Sequence, residues 1–194
     1  MVDNGKCIND TYTSKETIEN INNQVQMKEV MFSQTPERYA LKSIMSGFLL
    51  AIVTVFMLGI KTQFAGTNEG LVNLMGAISF SLALVLIVLT NSELLTSNFM
   101  YLTVGWYYKI IGMNKALGIM LVCFLFNIIG GFILFALMKF TPIMTPEMIS
   151  SLTSMVDGKT IDSSWYAILV KAIFCNFFIN IGIYVSIQFK DGLS

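Results

Sequence analysis

The sequence predicts an all-α protein that threads a membrane several times. Three observations carry that prediction. Of 194 residues, 55% are hydrophobic and 12% charged, where a soluble domain has roughly 25% charged. The apolar residues gather into four long runs, each close to the length that a hydrocarbon core of about 30 Å demands of a helix. The second run meets a polar interruption, Ser92–Asn98, and the chain then turns apolar again.

Composition narrows the function classes. Lys plus Arg equals Asp plus Glu, 12 each, so the charge balance gives no sign of nucleic-acid binding. Cys7, Cys123 and Cys175 are far apart, and the last two lie inside apolar runs, which implies no disulfide framework. Histidine is absent, removing the commonest metal ligand and general base. Glu93 is the lone acid in an apolar stretch. A membrane enzyme would lack the groups it needs, and no cofactor is implied.

Residues 1–40 are polar, carry Lys6, Lys15, Lys28 and Arg38, and lack the early apolar core of a signal peptide. They read as a cytoplasmic arm, partly helical, leading into the first span. That span, Ile44–Ile60, reaches about 26 Å, and Tyr39–Lys42 and Lys61–Phe64 extend it. The second run, Leu71–Thr90, is twenty residues without a charge. The third, Ala116–Met138, is also uncharged. Residues 139–164 read as an external loop, and 165–190 as a fourth span that tolerates Lys171.

The interruption has two readings: an interfacial loop with a short amphipathic tail, or one membrane passage in two parts. Lys and Arg in the short flanks bear on this. With the N-terminus inside and the second run crossing together with Phe99–Tyr108, Lys28, Arg38, Lys42, Lys109, Lys115 and Lys190 fall inside. Lys61, Lys139 and Lys159 fall outside. Were Ser92–Asn98 external, Phe99–Tyr108 would have to cross alone at about half the needed length. The interrupted passage, with its break near 91–98 inside a three-span unit over 41–138, is therefore expected. Non-helical backbone at membrane depth survives only where protein or a watery cavity satisfies it. Ser, Thr, Asn and Glu at the break can cap freed groups.

A faint repeat supports the same plan. KSIMSGFLLAI (Lys42–Ile52) and KAIFCNFFINI (Lys171–Ile181) align without gaps, 129 residues apart. Transporter folds are often two such units of opposite topology. By the same offset, the second interrupted span would fall beyond Ser194.

Gly76–Gly105 resembles the formate/nitrite transporter family, in which a span runs into a motif like G-x-E-L-F-T-G-N. Here the motif stands as Asn91-Ser92-Glu93-Leu94-Leu95-Thr96-Ser97-Asn98. Asn91 and Ser97 replace its glycines and Leu95 its phenylalanine. Lys171–Ile179 is similar to the family's fourth-span motif through Cys175-Asn176, and Thr35–Gly47 to its first-span entry. The resemblance implies an aquaporin-like inverted-repeat bundle with about four of six spans present. It further implies a homopentamer in the inner membrane, N-terminus cytoplasmic, passing nitrite, formate or hydrosulfide. Residue by residue, Phe80 and Leu84 match pore-narrowing positions, Leu94 and Thr96 the inner constriction, and Asn176 a pore-lining asparagine. Lys171 matches a lysine of the nitrite branch, as Met100–Gly105 resembles that branch. An outer-vestibule lysine falls on Thr160, with Lys159 beside it. The family's pore histidine lies on a fifth span, which this chain does not contain, so a non-conducting fragment is the alternative expectation.

The chemistry of these sites is simple. An anion in a pore loses hydration, and neutral donors such as the Thr96 hydroxyl and the Asn176 amide can compensate without trapping it. Otherwise Asn176 makes a helix–helix hydrogen bond and Thr96 caps backbone. Phe80, Leu84 and Leu94 either constrict or merely pack. Lys159 and Lys171 concentrate anions at the outer mouth, unless Lys171 snorkels. Glu93 would repel cargo, so it reads as structural, taking loop N–H groups and facing a helix start at Asn98. Gly47/Ala51, Ala77/Ser81 and Gly130/Gly131 fit close helix packing, and Asn127 an interhelical hydrogen bond.

Overall fold

The computed structural model describes residues 5–191. Residues 1–4 of the expected arm lie outside the described residues, as do the side chains of Lys6, Cys7 and Lys190. The described elements are all helices: α1 (Gly5–Gln34), α2 (Pro36–Gln63), α3 (Glu69–Leu89), α4 (Leu95–Tyr107), α5 (Met113–Met138), α6 (Pro146–Thr160) and α7 (Trp165–Asp191). By length and hydropathy α2, α3, α5 and α7 can each cross a membrane, and the chain is a multi-pass membrane protein.

The arm is one long helix. Thr17, Ile21, Val25 and Lys28 form a buried stripe at helical spacing, and α1 lays it against α2, α4 and α7. Pro36 then opens α2 at its first turn, where a missing N–H costs nothing. The first span therefore begins well before the apolar run that announced it.

Two contacts fix directions. Near their starts, the Tyr39 hydroxyl on α2 donates to the Ile119 carbonyl on α5. Near the other end, Leu58 of α2 shares an apolar cluster with Met144, just past α5. So α2 and α5 run the same way, and the chain returns once between them, through α3 and α4. The α2–α5 crossing rests on glycine. A Cβ at Gly47 would sit 1.9 Å from the Asn127 carbonyl oxygen, and one at Gly130 would sit 2.0 Å from that of Ile44. Only a residue without a side chain permits this approach. Gly131 faces open space. On α3 the packing stripe is Gly76, Ser79, Ala83 and Ile87. Ala77 and Ser81, expected to pack within or between protomers, are exposed on the single chain.

The segment expected as a loop, 139–164, carries α6. Thr145 caps it by accepting from the Met148 N–H, with Pro146 in the first turn, and Met148 packs on Met57 and Leu58. The Thr145 hydroxyl and a backbone N–H hold the Glu147 carboxyl below the usual range. The same Thr-Pro-Glu opens α2 at Thr35–Glu37, so the start signal for α6 was present in the sequence. Beyond it, α7 turns one face inward, through Asn176, Asn180, Ile183 and Ser186. There Leu84 of α3 lies over Gly182, 2.9 Å from where a Cβ would stand.

Candidate functional site: the buried break between α3 and α4

The break occupies Thr90–Leu94, shorter and earlier than expected. Asn91 adopts φ 51°, a left-handed conformation that Asn tolerates better than most residues. Its N–H donates to the Val88 carbonyl and that of Ser92 to Ile87, the Schellman pattern of a helix end. Asn91 thus stands in the backbone state where the family motif has glycine. The chain runs extended through Leu94, and α4 begins at Leu95. Thr96, Ser97 and Asn98, placed in the loop by sequence, are helical.

Neighbours satisfy the unwound backbone more than the break's own side chains do. Asn127 of α5 donates to the Glu93 carbonyl at 2.9 Å and the Ser43 carbonyl at 2.8 Å, and accepts from the Leu95 N–H at 3.1 Å. Cys123 Sγ also donates to the Glu93 carbonyl, and the Glu93 N–H donates to the Lys42 carbonyl. From within the motif, Ser97 Oγ returns to the Leu94 carbonyl. Asn127 lies fourteen residues into α5, about 21 Å along a helix that spans roughly 39 Å. The break is therefore held against the middle of a spanning helix, where polar backbone must find partners in protein.

Glu93 has a different partner from the one expected. Its carboxylate takes no loop N–H among the described contacts. It pairs with Lys28 of α1, both side chains almost wholly buried, and Lys28 also stands 5.0 Å from the Tyr101 ring centroid. Asn98, fully buried on α4, donates to the Tyr39 hydroxyl at 3.0 Å. By charge pattern alone Lys28 is an inside-facing lysine of the arm. The missed signal was the apolar spacing of Ile21 and Val25 before it.

The other candidate residues divide. Leu84 and Leu94 line one cavity of about 50 Å³ together with Lys28, Ser97, Tyr101 and Ile183. That is room for one or two waters at about 30 Å³ each, or one small anion. Phe80, one turn back on α3, is 40% exposed and lies outside that cavity. Thr96 Oγ1 and Asn176 Oδ1 are buried without a hydrogen-bond partner, while Asn176 Nδ2 donates to the Ala172 carbonyl. Lys171 is exposed on α7 and reaches Ser163 Oγ at 3.4 Å. Lys159 is exposed on α6. The structure thus joins Leu84 with Leu94 and leaves the two lysines toward the α6–α7 connection.

A model of the formate/nitrite transporter family matches residues 15–194. Over 154 residues the chain is 23% identical to the uncharacterized transporter YHL008C of Saccharomyces cerevisiae, covering 77% of this chain and 25% of that protein. Over 152 residues it is 26% identical to the formate channel FocA of Haemophilus influenzae, covering 77% and 53%. A solved structure of an FNT family ion channel matches with TM-score 0.60 at 21% identity, over 65% of this chain and 49% of that one. The chain spans about half the length of the formate channel and a quarter of the yeast transporter.

Proposed function

The chain belongs to the formate/nitrite transporter family, and from that premise we propose that it is a subunit of a channel for small monovalent anions. The observation that carries this reading is the cavity formed where Leu84 and Leu94 meet beside the break. The cavity sets Leu84, Leu94 and Ile183 against polar neighbours, among them Asn91, Ser92, Ser97 and Ser186, and so narrow a passage with neutral donors selects small ions that can shed water briefly. Thr96 supplies one such donor, a buried hydroxyl without a partner. Asn176 supplies another when its amide turns its NH₂ group, now bonded to the Ala172 carbonyl, toward the path in place of its unpaired oxygen. Phe80 narrows the outer side of the same path. Lys159 and Lys171 raise the anion concentration at the outer mouth. Nitrite is preferred over formate because of Lys171 and because Met100–Gly105 resembles the nitrite branch, hydrosulfide remains open, and flow is passive or proton-coupled. The subunits assemble as a homopentamer in the inner membrane, N-terminus cytoplasmic. Nothing in this scheme is an enzyme's chemistry.

The test is anion flux into liposomes loaded with the purified chain. Wild type is expected to move nitrite or formate. Thr96→Val and Asn176→Leu are each expected to slow it about tenfold, the worth of one hydrogen bond to a charged group. Wild-type flux indifferent to both changes would overturn the site. No flux at all would overturn the channel reading.

A further inference from the structure

We infer that Asn180 is a second polar station on the anion path, one helical turn beyond Asn176, an inference that rests on the proposed channel function. The face α7 turns inward is narrow, and Asn176 and Asn180 both lie on it. Four residues apart, their side chains stand on the same side of the helix, about 6 Å along its axis. Each has its carboxamide oxygen buried without a hydrogen-bond partner. One such atom could be an accident of packing. Two in register, on a helix whose other faces are exposed and apolar, mark a track that water or a solute occupies.

The continuation of that face supports the assignment. Gly182, which meets Leu84, and then Ile183 and Ser186 follow Asn180. Ile183 and Ser186 line the cavity with Leu84 and Leu94. Asn180 therefore stands between Asn176 and the narrow cavity at Leu84 and Leu94, where an ion about to lose its water most needs a donor. A half-turn of its terminal torsion, which has broad minima, replaces the orphan oxygen with the NH₂ group, two donors and no fixed charge. Its counterpart in the repeat on α2 is Ala51, so the carboxamide is not a requirement of the helix pattern.

The experiment pairs labelling with flux. In a Cys7→Ser/Cys175→Ser chain in liposomes, Asn180→Cys is treated with a small anionic methanethiosulfonate. Phe178→Cys, on the outward face, is the control. Labelling of the Asn180→Cys variant alone is expected. Asn180→Leu is expected to cut nitrite or formate flux about tenfold, while Asn180→Gln, which keeps the amide, stays close to wild type. Equal gel-filtration profiles guard against misfolding. Wild-type flux with an unlabelled Asn180→Cys variant and an unimpaired Asn180→Leu variant overturns this inference and leaves the channel standing. A wild type that moves no anion, beside a labelled Asn180→Cys variant, overturns the channel and leaves the watery track. Neither flux nor labelling overturns both.

Discussion

Lys42–Ile52 on α2 and Lys171–Ile181 on α7 share Lys, Ile, Phe and Ile at matching places, yet their surroundings are opposite. A third of the α2 span is buried within the protein, against 6% of α7. Both stretches form helix without interruption, so local propensity does not separate them. Contact does. Where α2 has Gly47, its backbone reaches that of α5. Where α7 has Asn176 in the same register, the residue is half-buried and its carboxamide is left with an unpaired oxygen. One copy of the pattern builds a crossing, and the other leaves a buried oxygen unpaired.

The largest effect that can sharpen this contrast comes from the lysines. Lys28→Met strands Glu93 in the buried site and is expected to cost about 3–5 kcal/mol, the range for breaking a buried pair. Lys171→Met removes an exposed charge and is expected to change stability by less than about 0.5 kcal/mol. Thermal unfolding in detergent reads both. The double change Lys28→Met/Glu93→Leu should recover most of the loss, because apolar pairs replace buried ion pairs readily. A Lys28→Met variant as stable as wild type would mean that α1 does not hold the break.

Next in size is the crossing. Gly47→Val forces a side chain into the Asn127 carbonyl and is expected to destabilise by about 3 kcal/mol or more. Asn176→Val, its partner in the repeat, should leave the unfolding temperature nearly unchanged and show itself in flux. Equal losses at both positions would erase the distinction between a packed copy and a bare one.

How far the sequence was legible follows the same line. The spans, the interruption and the parallel course of the first and third runs were readable, because hydropathy and charge act locally along the chain. The partners at the break were not. Asn127 was expected to make an interhelical hydrogen bond and does, but that it joins Glu93, Ser43 and Leu95 at once depends on how α5 crosses α2. Lys28 looked like any charge on an arm, since nothing local distinguishes a buried lysine from a solvated one. α6 was missed for a different reason: its apolar residues are few, and the Thr145 cap carries the evidence. Of the pore candidates, Leu84 and Leu94 came together. Phe80 did not join them, because one turn along α3 carries it past the end of the cavity.

The smallest effects separate two residues that the family motif treats alike, for both Asn91 and Ser97 stand where it has glycine. Asn91 sits at φ 51° and closes α3, a conformation that costs an ordinary residue roughly 1–2 kcal/mol and glycine almost nothing. Ser97 lies inside α4 and bonds back to the Leu94 carbonyl, where glycine would lose about 0.5–1 kcal/mol of helix propensity and that hydrogen bond besides. Asn91→Gly is therefore expected to hold or slightly raise the unfolding temperature, and Ser97→Gly to lower it. Both residues line the cavity but neither carries a charge, so the opposite signs follow from backbone state and the Ser97 hydrogen bond. Matching losses at the two sites would mean that the chain leaves helix across the whole motif, and the short break closed by Asn91 would have to be abandoned.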